Sequence, residues 1–297
     1  MGVRNPTACY RELGAELVRI RKAARIPGEV VARRTGWTRT KVARIEYGQG
    51  DASVTDVVHY IVVCGARLPD EADVVELASL AERKQGYWLS DKRINNSLRS
   101  LIYHESAASS SISYEPLMVP GLLHTPAYAE ALIRRESGFS DAEVRTAIRT
   151  RMERQRILQW SDPARFVFFV HEQALRLRVG SPAIMQEQLL HLVLMTALDQ
   201  VTLRVIPAET GERSAFGGPF RLLEFSKHPP LVYLDHFNGG LFLEDRRYVE
   251  NYQRLLPELT AVALDEGESR SFAAALADEY DRRGQPDATH HLEDEHV

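Results

Sequence analysis

Along the first eighty positions, hydrophobic residues recur at the three- and four-residue spacing of amphipathic helices. Leu13, Leu17, Ile20 and Ala24 form one stripe and predict a helix from about Arg11 to Ala24. Val31 and Ala32, then Val42 and Ile45, predict two short helices either side of Gly36 and Trp37. Gly36 suits a left-handed helix end, Thr38 is placed to cap the next helix through its hydroxyl, and Trp37 is expected beneath the pair. Val54, Val57, Val58, Ile61 and Val62 predict a fourth helix over about Ser53 to Cys64. A fifth follows Pro69, from about Asp70 to Lys84.

Beyond Gly86 the pattern changes. Ile94, Leu98, Leu101 and Ile102 predict a helix from Asp91 to about Ala108, and extending that stripe by four lands on Glu105, a carboxylate on a buried face. Ile112 to His124 reads as an extended piece ending in a turn. Thr125-Pro126 then opens a helix, with Thr as N-cap and Pro at the first helical position. Ser140-Asp141-Ala142-Glu143 is a capping box opening another helix, which reaches about Trp160 with Val144, Ile148, Arg151, Gln155 and Leu158 on one face. Strands are expected over Arg165–His171 and Val201–Ile206. Phe220–Phe225, Leu231–His236 and Leu241–Leu243 follow as antiparallel neighbours, and helices are expected over 181–198, 245–263 and 265–283. The fold class expected is α+β: an all-α head of about five helices, then a mixed domain with an antiparallel sheet flanked by helices. The boundaries expected are a head at 1–84, a linker at 85–90, a regulatory domain at 91–283 and an acidic, disordered tail at 284–297.

Charge sharpens this picture. The net charge of −4 hides an asymmetry. Residues 1–50 carry eleven Lys/Arg against four Asp/Glu, a balance of +7, while residues 265–297 carry three Arg against ten Asp/Glu, a balance of −7. The basic end coincides with the helical pair around Gly36, where phosphate attraction would be used. Two cysteines are too few for a disulfide framework or a zinc cluster. No apolar run approaches a membrane span, and Met1 to Pro6 lacks the apolar core of a signal peptide. The expectation is a cytoplasmic, nucleoid-associated protein without membrane contact or cofactor.

With Val42 and Ile45 turned inward, Arg39, Thr40, Lys41 and Arg44 are left on the outward face of a short core-anchored helix. That is the form of a helix-turn-helix whose second helix enters the DNA major groove. Arg39 and Arg44 can each donate two hydrogen bonds to guanine, and Thr40 can meet a thymine methyl. Double-stranded DNA with a palindromic operator, read by a homodimer, is the partner expected.

Residues 11–64 resemble the Xre (Cro/repressor-type) helix-turn-helix family in the pattern Leu17, Ala32, Gly36, Val42, Ile45, Glu46, Gly48. The resemblance implies that Arg39, Thr40 and Arg44 reach base edges and that Lys41 binds a base or a phosphate. It also implies that Arg21 and Glu46 form a structural ion pair. The family usually has Gln at the start of the second helix; this chain has Pro27-Gly28, so a phosphate contact there falls to backbone N–H groups at Gly28. Residues 86–283 resemble the downstream domain of WhiJ-like actinobacterial regulators. This rests on Val119-Pro120-Gly121-Leu122-Leu123-His124-Thr125-Pro126-Ala127-Tyr128-Ala129, on Arg151-Met152-Glu153-Arg154-Gln155, on Gly217-Gly218-Pro219-Phe220 and on Val205-Ile206-Pro207. His124 stands where that family usually has Gln. The resemblance implies a regulator, a repressor of development or secondary-metabolism genes, modulated by a ligand or by a small protein from a neighbouring gene. An antitoxin-like protein that sequesters a partner and binds DNA weakly is the alternative.

Glu105, Arg151, Gln155, His124 and Tyr128 are the candidate polar patch of the second domain. Glu105 is expected to pair with Arg151, because an isolated buried charge is very costly. A satisfied pair locking two helices and the wall of an effector pocket are both open readings. An enzyme lacks its constellation. His171-Glu172 and His104-Glu105 begin like a zinc-protease helix but have no second His four residues on. A hydrolase triad using Asp235-His236 and the serines of 106–113 would need those strands to converge. His290, His291 and His296 lie in the tail.

Overall fold

A hydroxyl caps the first helix of the described residues: Thr7 accepts a hydrogen bond from the Tyr10 N–H at 3.3 Å, ahead of the apolar stripe that the sequence shows. The computed structural model describes residues 7–50, 52–82, 86–90, 96–135, 138–214, 216–236 and 239–284. In chain order its elements are α1 (Ala8–Ala23), α2 (Gly28–Thr35), α3 (Arg39–Glu46), α4 (Val54–Val63), α5 (Ala72–Ala81), β1 (Tyr87–Ser90) and α6 (Asn96–Ala107). There follow β2 (Ser110–Glu115), α7 (Pro126–Ile133), α8 (Asp141–Arg154), β3 (Arg165–His171), α9 (Glu172–Arg176), α10 (Pro182–Met195) and β4 (Val201–Ile206). The last are β5 (Phe220–Glu224), β6 (Leu231–His236), β7 (Gly239–Leu243), α11 (Arg246–Val262) and α12 (Glu266–Gly284). Of the tail expected at 284–297, Gly284 ends α12, and residues 285–297 with their histidines lie outside the described residues. The fold is α+β.

Two compact units divide the chain: Met1–Ser109 with Arg221–Gln253, and Ser110–Phe220 with Arg254–Val297. In the first, α1 to α5 share one hydrophobic core with Tyr87, Leu89, Leu101, Leu223, Leu231, Tyr233 and Phe242. The strands here are antiparallel: β1 pairs β7, β7 pairs β6 and β6 pairs β5. The stretch expected as a linker at 85–90 therefore contains a strand. Tyr87 is placed opposite Phe242 in the ladder and stacks on its ring at 4.6 Å.

The second unit holds a parallel ladder, β2 beside β3 beside β4, which the antiparallel reading of the sheet did not include. Helices α7 and α8 separate β2 from β3, and α9 and α10 separate β3 from β4. A helical crossover of that length is the connection that parallel neighbours require. Phe166, Phe168, Val170, Val201, Leu203 and Val205 line one core with Leu189 and Leu192 of α10 and Leu276 and Tyr280 of α12. The helix expected to run to Trp160 stops at Arg154 and continues as a 3₁₀ turn over Gln155–Gln159. That tighter turn buries Ile157 and Leu158 while the Gln155 amide donates to the His124 carbonyl at 2.7 Å.

The head is closed by a network at its centre. Arg21 Nε and Nη2 donate to the two carboxylate oxygens of Glu46, each at 2.7 Å, and the Tyr60 hydroxyl donates to Glu46 at 2.6 Å. Hydrogen bonding to Glu46 holds the Arg21 guanidinium above its ordinary range, and burial together with Glu46 raises the Tyr60 hydroxyl. Close by, Gly14 lets α1 touch the end of α3: a Cβ there would sit 2.5 Å from the Glu46 carbonyl oxygen.

Three outcomes are expected in urea denaturation. Glu46→Ala strands a largely buried guanidinium and a hydroxyl and should cost about 3 kcal/mol, whereas Tyr60→Phe, losing one hydrogen bond, should cost about 1 kcal/mol. Gly14→Ala should destabilise by about 1–3 kcal/mol through overpacking, although helix propensity alone favours Ala by about 1 kcal/mol.

Candidate nucleic-acid interface

The interface is built on two eight-residue helices, α2 and α3. Gly36 ends α2 at φ 73°, a left-handed conformation that a residue without Cβ adopts freely. Thr38 follows in extended backbone, and its hydroxyl accepts from the Lys41 N–H at 3.1 Å to start α3. Val42 and Ile45 are buried, as are Val31 and Ala32 of α2. Arg39, Thr40 and Arg44 are exposed on the opposite flank.

Each cation of that flank has a neighbour. Arg39 is ion-paired with Glu29, both side chains being largely exposed. Arg44 Nη2 donates to the Gln49 carbonyl at 3.3 Å. Lys41 differs: its Nζ bonds Asp56 at 2.8 Å and sits 4.1 Å from the centre of the Trp37 ring. Burial acts to raise the Asp56 carboxyl, but hydrogen bonds from Lys41 and from Ser53 outweigh it and keep it below the usual carboxylate range. Asp56 and Ser53 together form the capping box of α4. These partners of Lys41 were not singled out from the sequence, although Ser53-x-x-Asp56 is a visible box. Gly28 begins α2, beside Val42 of α3, which a Cβ on Gly28 would approach to 3.8 Å.

In the second unit the candidate patch closes on itself. His124 Nε2 donates to the Val119 carbonyl at 2.7 Å, so its Nδ1 is the acceptor, and it faces Arg151 Nη1 at 3.2 Å. Tyr128 packs on the His124 ring, with centroids 4.8 Å apart, and its hydroxyl accepts from the Val119 N–H at 3.4 Å. Gln188 clamps the same turn: it accepts from Thr125 N at 2.7 Å and donates to the Leu123 carbonyl at 2.6 Å. Burial, reinforced by Arg151, pushes His124 down to about 3. Glu105 lies in the first unit, fully buried, and there Arg221 donates to it. The sequence reading had singled out neither Arg221 nor Gln188.

Among the described residues, no group of three or more His, Cys, Asp or Glu is placed to hold a metal ion, and no helix is long and apolar enough to cross a membrane. One Ser–His contact does occur, between His171 Nε2 and Ser214 Oγ at 3.2 Å. His171 Nδ1 accepts from the Gln173 N–H at 3.1 Å, so Nε2 carries the proton and donates to the serine. Activating a serine nucleophile needs the reverse.

Compared with known families, residues 12–81 match a helix-turn-helix domain, a DNA-binding module, and residues 98–274 match a domain of unknown function, DUF5753. No curated protein and no solved structure matches the chain. The second match alone covers more than half of the 297 residues. With a helix-turn-helix domain at its head, the chain belongs to the DUF5753 family.

Proposed function

We propose that this protein is a sequence-specific transcriptional regulator, a repressor that binds a palindromic operator as a homodimer. The observation that carries the reading is the division of α3: Val42 and Ile45 sealed in the core, Arg39, Thr40 and Arg44 turned outward. Arg39 and Arg44 donate to guanine edges and Thr40 meets a thymine methyl. Leaving Glu29 costs Arg39 little, because an exposed ion pair is worth about 0–1 kcal/mol, while a bidentate guanine contact is worth about 1–3 kcal/mol. Lys41, engaged with Asp56 and Trp37, presents its charge to the backbone rather than to a base. Thr38 and the N–H groups at Gly28 serve as further phosphate contacts.

Selection of bound duplexes from a random pool tests this. Arg39→Ala or Arg44→Ala should weaken binding to the selected sequence by about 1–3 kcal/mol and relax preference at one base pair of each half-site. Equal weakening on selected and random DNA would remove the base-reading assignment. Lys41→Ala should weaken all sequences alike.

The second unit carries the modulating role, exercised through a small partner protein or a ligand. Within it, the hydrogen bonds of His124, Tyr128, Gln155 and Gln188 support a structural lock on the Val119–Tyr128 turn, with the effector surface elsewhere. The lock has a pH signature. A free histidine takes up a proton near pH 6.5, whereas buried His124 resists one until about 3. The unfolded chain therefore binds more protons across that window, and stability falls as pH drops from 6.5 towards 3. Urea melts of the full chain should show this loss, and His124→Gln should flatten it between pH 7 and 5.

A further inference from the structure

The first four helices of the head, α1 to α4, each end in a residue of left-handed backbone. For α2, α3 and α4 that residue is glycine: Gly36, Gly48 and Gly65, at φ 73°, 68° and 78°. For α1 it is Arg25 at φ 56°, the one non-glycine residue of positive φ among the described residues. The hydrogen bonds are those of a Schellman end, Arg25 N to Lys22 O at 2.9 Å and Ile26 N to Arg21 O at 3.1 Å. Gly48 and Gly65 close α3 and α4 by the same pair of bonds. Glycine takes this conformation freely, and an arginine does not.

Nothing in the fold repays the arginine. Its side chain is exposed, and among the described residues no hydrogen bond or ion pair engages its guanidinium. Its position, by contrast, is fixed. Arg21, already held by Glu46 at the end of α3, donates from Nη1 to the Ile26 carbonyl at 3.2 Å and so pins the turn that carries Arg25. The residues just after that turn abut the reading helix: Glu29 pairs with Arg39, and Gly28 lies against Val42. The turn that carries Arg25 is thus tied through Arg21 to Glu46 of α3, and the rims of a major groove entered by α3 are phosphates.

We propose that Arg25 is a DNA phosphate-binding residue, kept at a site where glycine would fold better, and that it sets the register of α3 in the groove without reading a base. The proposal rests on the DNA-binding reading of the head. It is tested by measuring binding of the full chain to a random-sequence duplex and to a duplex chosen by selection, each over a salt series, for wild type, Arg25→Gly and Arg25→Lys. Arg25→Gly should weaken both duplexes by the same factor, leave the ratio between them unchanged and lower the slope of log affinity against log salt by about 0.9 per chain. Its melting temperature should equal or exceed that of wild type, so the loss cannot be ascribed to a damaged fold. Arg25→Lys should keep the wild-type slope. If wild type binds with a steep salt dependence and Arg25→Gly matches it in slope and affinity, the phosphate contact is overturned and the DNA reading stands. If wild type shows no salt-dependent binding to either duplex, the DNA reading falls, and the contact with it.

Discussion

The reading head depends on how one guanidinium is shared. Arg21, on α1, gives two parallel hydrogen bonds to Glu46 on α3 and a third to the turn before α2, while Tyr60 of α4 completes the carboxylate. Four segments are thus fixed to a single charged centre, most of it withdrawn from solvent. Charge-assisted, two-pronged contacts of this kind are directional as well as strong. The groove recognition proposed for the head would need that directionality, because side chains discriminate between bases only if the backbone beneath them holds its place. Apolar packing of Val31, Val42 and Ile45 makes α2 and α3 adhere; the Arg21 centre ties the end of α3 and the turn before α2 to α1.

Much of this was legible in the amino-acid order, for a physical reason. Helices are local, so apolar spacing disclosed the first four of the head and Pro69 announced the fifth, and the hydroxyl of Thr38 and the glycine at 36 fixed the junction of α2 and α3. Where the order was silent, the partner was distant. Tyr87–Ser90 is too short and too mixed to declare itself a strand; it is one because Gly239–Phe242 arrives beside it some 150 residues later. Likewise the run Phe166–Val170 announces a strand but not its direction, which is set by the crossover helices. The buried carboxylate at Glu105 could be foreseen from periodicity, whereas Arg221, its ion-pair partner 116 positions away, could not. For Lys41 the limit was different: a surface cation and a helix-capping Asp56 were each visible, and only the fold, which brings the start of α4 to Lys41, joins them.

Both units hide polar groups, and both handle them in the same way. Glu12 accepts from Tyr87 at 2.9 Å and from Ser100; His124 gives its proton to Val119 and shows its lone pair to Arg151. Hydrogen bonding of this kind lowers the cost of keeping such groups in an interior. Their geometry, unlike oil-like contact, admits one arrangement, which gives each core a unique packing.

The first helix of the head is also fastened from far along the chain. Its opening N–H, at Ala8, bonds Glu244 at 2.5 Å, and Arg11 lies over the ring of Phe225 at 5.2 Å. During synthesis, therefore, the nascent head emerges long before the strands that cover one flank of α1. Until the ribosome has passed residue 244, Ala8 and Arg11 wait without these partners, and a fragment cut at residue 84 never acquires them. Shuffling this head onto another body would therefore have to bring the segment Arg221–Gln253 with it.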